Sequence, residues 1–169
     1  MGGFAALSFA SFVPGATIVS LSPQSTLDPK LVPWEPRFAK GRKGDWTLPC
    51  SDAAKTIGKA KRAYVLFDPY VALDLKHVDR LPAKNLIKLK AFWFGHKTAV
   101  VLRRLDTIKP FMRGAIQGIL TEAKFYAMIR GRKDLLLYRR NMEAHLEAKQ
   151  RDALMSRFRF AFRRRRQGH

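Results

Sequence analysis

Residues 81–108 read LPAKNLIKLKAFWFGHKTAVVLRRLDTI, and the folding of this stretch decides the class of the whole chain. Pro82 stands where a first helical residue tolerates its missing amide. An apolar stripe at helical spacing runs through Leu86, Leu89, Trp93, Val100 and Ile108. The pattern predicts one long helix from Pro82 to Ile108. Pro110 opens a second in the same way, and this one ends near Gly131, a residue type suited to a left-handed cap. Asp134 is placed to cap a third, on which Tyr138, Met142, Leu146 and then Leu154, Phe158 and Phe162 keep an i, i+4 series broken only at Gln150. The second half is therefore expected to be helical throughout and to finish in a long basic helix.

Upstream, Ser51 or Asp52 can cap a helix reaching about Ala63, because a side-chain oxygen there accepts from the orphan amides of the first turn. The run AYVLFDPYVAL at 63–73 is rich enough in β-branched and aromatic residues for a strand. Asp68-Pro69 interrupts it, so a turn is expected at Asp68 and a multi-stranded sheet is not. The stretch 22–49 is punctuated by Pro23, Pro29, Pro33, Pro36 and Pro49, a density that breaks helices and central strands alike. It reads as an extended arm, on which Trp34 and Trp46 are candidate partner anchors, stacking on exposed bases or plugging a groove of a protein partner. Residues 1–27 carry no charge. They have neither the basic start of a secretory signal nor the arginines of a mitochondrial presequence, and Pro14, Gly15 and the serines make a poor membrane span. Phe4, Phe9 and Phe12 are expected to anchor this segment on a partner. The expected fold is mainly α: a small helical body with a long basic C-terminal helix, over residues 51–169, and an extended Pro/aromatic N-terminal arm, over residues 1–50.

Charge divides the chain unevenly. Among 169 residues, 33 Lys and Arg face 13 Asp and Glu, a net charge of +20. Residues 81–169 hold 22 of the basic residues and 6 of the acidic ones. Repulsion on this scale destabilises a compact free chain, so the expected partner is a polyanion. Candidate phosphate contacts are Lys84, Lys88, Lys90, Lys97, Arg103 and Arg104 in the first predicted helix, with Arg139, Arg140, Arg157, Arg159, Arg163, Arg164, Arg165 and Arg166 in the last. Arginine forks bind phosphate oxygens in pairs, and displaced counterions add a favourable entropy. In FRFAFRRRRQGH at 158–169, Phe158 and Phe162 are candidate anchors beside that arginine run.

Catalytic and metal motifs are missing from the sequence. Cys50 is the only cysteine, and His77, His96, His145 and His169 are too far apart for a pair on one helical face. Phosphate loops, dinucleotide fingerprints, nucleophile elbows and zincin motifs do not occur. Neither an enzyme nor a cofactor nor a small-molecule substrate is expected. Leu137-Tyr138-Arg139 is similar to the tripeptide of the LYR-motif proteins of mitochondria. In that family the tripeptide lies near the start of a three-helix bundle, whereas 30 residues follow Arg139 here, and nothing is carried over. The expected function is structural: an rRNA-binding component of an organellar, mitochondrial ribosome, in contact with rRNA and neighbouring proteins. The alternative is an accessory structural subunit of a mitochondrial inner-membrane respiratory complex or ATP synthase, its basic residues on anionic lipid such as cardiolipin.

Overall fold

A parallel sheet, not a helical bundle, organises the chain. The computed structural model describes residues 2–81 and 84–166, with side chains through Arg164. In chain order the elements are α1 (Gly2–Ser8), β1 (Thr17–Leu21), α2 (Ala39–Arg42), α3 (Ala53–Thr56), β2 (Arg62–Phe67), α4 (Ala72–Asp79), β3 (Leu86–Lys90), α5 (Thr98–Arg104), α6 (Ile108–Ile116), α7 (Glu122–Met128), α8 (Leu136–Ala148) and α9 (Asp152–Arg166). The strands lie in the order β1-β2-β3. Thr17 pairs with Arg62 and Leu21 with Leu66, while Ala63 pairs with Leu86 and Phe67 with Lys90, all in parallel. The class is mixed α/β, which corrects the mainly α expectation.

Two misread segments account for the difference. Residues 86–90 form a strand because their neighbours reward a period of two: Ile87 and Leu89 pack into one core, Leu86 turns to the other, and Lys88 and Lys90 are exposed. The helix expected from Pro82 to Ile108 is reduced to α5. Trp93, Gly95 and Asp106 all take positive φ values, 66°, 67° and 52°, a conformation that ends regular structure on either side of it. The second misread segment is the N-terminal arm. Thr17, Ile18 and Val19 are β-branched and suit a pleated surface, and β1 is an edge strand of the sheet rather than part of a tail. Residues 22–27, SPQSTL, are buried, so the absence of charge reflects placement inside the body.

Alternate residues of β2 serve two cores, as expected of a strand covered on both faces. Tyr64 and Leu66 join Leu89, Phe94, Leu102, Phe111 and Phe125 on one side. Ala63, Val65 and Phe67 join Leu7, Ile57, Val78 and Leu81 on the other. The expected helix from Pro110 to Gly131 is two helices, because Gly118 takes φ +72° after α6 and the Thr121 hydroxyl, accepting from Lys124 N–H, caps α7. The long terminal helix is likewise two, α8 and α9, divided where Gln150 takes φ 52°. Asp52 does cap α3, accepting from Ala54 N–H, but the helix passes into a 3₁₀ turn by Ile57. None of the helices among the described residues is long and apolar enough to cross a membrane.

Candidate functional site

All three strands point their carboxyl ends the same way, and in open parallel sheets that edge is where loops gather polar groups around ligands. The loop after β1 is Ser22 to Thr26, the loop after β2 starts at Asp68, and the loop after β3 carries Gly95 and His96. Asp68 joins two of these loops. Its Oδ1 accepts from Tyr70 N–H at 3.0 Å and its Oδ2 from Gly95 N–H at 2.7 Å. The expected turn at Asp68 is present. Burial pushes its carboxyl above the ordinary 3.8 despite those donors.

Beside it runs a chain of charged side chains. Asp74, in the first turn of α4 and fully buried, holds His96 Nδ1 at 2.8 Å through Oδ2 and accepts from Arg37 Nη1 at 2.9 Å through Oδ1. Arg37 also donates to buried Glu35, Nη2 to Oε2 at 2.6 Å. Glu35 Oε2 lies 3.0 Å from His77 Nε2. The His77 tautomer follows from its other nitrogen. Backbone N–H of Ser25 can only donate, and it meets Nδ1 at 3.1 Å, so the ring proton sits on Nε2 and is donated to Glu35. Burial pushes the His77 imidazole below its ordinary 6.5, which keeps it neutral. Burial alone pushes Glu35 up, but hydrogen bonds from Arg37 and His77 outweigh it and hold the carboxyl below 4.5.

The two histidines differ in what they can do. His77 and Ser25 are sealed from solvent, and both nitrogens of His77 are engaged, so this Ser, His and Glu series is structural. His96 is 38% exposed. Its Nδ1 proton is committed to Asp74, which leaves Nε2 as an acceptor with no partner among the described residues. An imidazole oriented by a buried carboxylate, with its second nitrogen open, is the arrangement of a general base. One residue away, Gly95 borders a cleft of about 330 Å³ lined also by Asp68, Tyr70, Trp93, Asn141 and His145. Sequence reading misses this grouping because Asp74 and His96 stand 22 positions apart and no short motif contains them.

The expected phosphate contacts are not gathered into this cleft. Lys88 and Lys90 are exposed on the edge strand β3, and Lys84 and Lys97 are exposed in loops. Arg103 and Arg104 are exposed in the last turn of α5. Arg140, Arg157, Arg163 and Arg164 are exposed on α8 and α9. Arg139 and Arg159 both reach Glu143 Oε1, at 3.1 and 3.2 Å, and Arg139 lies over the Phe162 ring at 4.8 Å. The side chains of Arg165 and Arg166 lie outside those described.

Of the expected anchors, Phe158 and Phe162 pack α9 on α8. Phe4 meets Trp46 edge to face at 5.7 Å, and Trp34 covers His77 at 4.7 Å. Phe9 and Phe12 remain exposed, at 55% and 66%. Among the described residues no cluster of three His, Cys, Asp or Glu side chains could hold a metal ion. Comparison of the chain with known protein families, with curated proteins and with solved structures finds no match.

Proposed function

We propose that the carboxyl edge of the sheet is an acid–base site in which His96 acts as general base. The observation that carries this reading is the His96 to Asp74 bond of 2.8 Å, with the carboxylate buried and the imidazole partly open to solvent. Nε2 takes the proton of an attacking water as its oxygen bonds to an electrophilic centre, and returns that proton to the leaving group. Asp74 fixes the tautomer and stabilises the imidazolium between those two steps. Arg37 holds Asp74 from its other oxygen, so the acceptor is oriented before substrate arrives.

The test is release of p-nitrophenolate from p-nitrophenyl acetate and from bis(p-nitrophenyl) phosphate. His96→Gln keeps a polar side chain of similar reach and is expected to lower kcat by about 10²-fold or more on whichever ester is turned over. A wild-type rate no higher than that of free imidazole, or a variant as active as wild type, overturns the reading.

A different observation favours a second reading. Exposed cations of one sign run from Lys84 through Arg164, and among the candidate contacts Lys88, Arg139 and Arg159 meet carboxylates. This supports a polyanion-binding role. Its finer form is a structural rRNA-binding component of a mitochondrial ribosome, and its alternative is an inner-membrane subunit on cardiolipin. Affinity for structured RNA, measured by filter binding, is expected to fall about 10³-fold between roughly 50 and 200 mM salt by counterion release. A flat salt response removes RNA phosphate from consideration, and salt-resistant binding to cardiolipin vesicles favours the membrane form.

A further inference from the structure

The cleft bordered by Gly95, one residue along the chain from His96, has an aromatic wall. Tyr70 and Trp93 stack face to face with centroids 3.8 Å apart and planes inclined by 11°. His145, from α8, leans against both rings at 4.6 and 4.8 Å. This arrangement is held at a cost. Trp93 takes φ 66°, a left-handed conformation that bulky residues rarely adopt, and such strain concentrates at ligand sites. One bond holds it there: Asn141 Nδ2 donates to Trp93 O at 2.9 Å. Tyr70 nevertheless remains 48% exposed, and both members of the stacked pair line the cleft.

We infer that this cleft binds the planar base of a nucleotide, which continues the Tyr70 and Trp93 stack. The inference rests on the acid–base reading and names its substrate class. Three features select this ligand. A volume of about 330 Å³ is at the small end of ligand sites, which suits one ring system rather than an extended chain. Stacking on an aromatic face is favourable for every base. The lining offers acceptors, with Asn141 Oδ1 left available by the bond its Nδ2 makes, and these match the ring and exocyclic N–H donors of a base.

The experiment titrates the full chain into 2-aminopurine riboside 5′-monophosphate, whose fluorescence is quenched when its ring stacks. Wild type is expected to quench it, and Tyr70→Leu, which keeps bulk at an exposed position but removes the π face, is expected to bind about tenfold more weakly. Phe12→Leu, at an exposed position outside the cleft lining, should bind as wild type does. Adenosine should displace the probe and ribose 5-phosphate should not. Absence of quenching by wild type, equal affinity in Tyr70→Leu, or displacement by ribose 5-phosphate as effective as by adenosine overturns the inference. Quenching by a protein that cleaves neither ester leaves base binding standing while the acid–base reading fails.

Discussion

Replacing Arg37 by methionine is expected to destabilise the protein by about 3–5 kcal/mol at pH 7, the cost of removing one partner from a buried ion network. The guanidinium lies between Glu35 and Asp74, both fully buried, and methionine fills much of the volume without the charge. Chemical denaturation across pH checks the cause. Glu35 is held below its ordinary 4.5 in the wild type, so its contribution is present above the unfolded value and is lost as pH falls through the folded one. His77, held below 6.5 by burial, acts in the same direction from about pH 6.5 downward, since the unfolded chain binds its proton first. Without Arg37 the largest influence left on Glu35 is burial, which favours its neutral form. The deficit of the variant should therefore be greatest near neutrality and shrink as acid neutralises Glu35. A deficit independent of pH would show that packing, not charge, is what Arg37 supplies.

Phe67→Ala is expected to cost about 3–5 kcal/mol, the range for emptying a large buried aromatic site. Phe67 is the last residue of β2 and packs with Leu7, Ile57, Val78 and Leu81 in the second core. Its loss leaves a void between the sheet and elements that are themselves short, α1 and α3 having seven and four residues. Urea denaturation reads the free energy directly. A cost below about 1 kcal/mol would mean that these elements close over the void, as well-packed cores rarely do.

The features legible in the sequence are local ones. The Asp52 cap, the turn at Asp68 and the Tyr138, Met142, Leu146 series of α8 each depend on residues within a few positions of one another. The strand at 86–90 is not legible, because only Ile87 and Leu89 express its period of two and a helical stripe passes through Leu86 and Leu89 equally well. Tertiary pairing with β2 decides between the two, and that pairing cannot be read from five residues. The same holds for residues 22–27, whose serines, proline and glutamine look like surface loop. They are buried because partners arrive from far along the chain: Thr98 for Ser22, and His77 and Arg80 for Ser25. The candidate site fails to show for this reason as well. Its parts are supplied by three separate loops and two helices, and only the parallel sheet brings them to one edge.

The bond from Asn141 to the Trp93 carbonyl gives the two surfaces a common account of free energy. It ties α8, in the basic helical end, to the strained residue in the wall of the cleft. On the two proposed readings, a polyanion that shifts α8 is expected to alter how firmly a ring is held at Trp93. By thermodynamic reciprocity the ring then changes the grip on the polyanion by the same factor and in the same sense. Were both surfaces occupied as proposed, occupancy at one end of the molecule would be legible at the other, through a single amide.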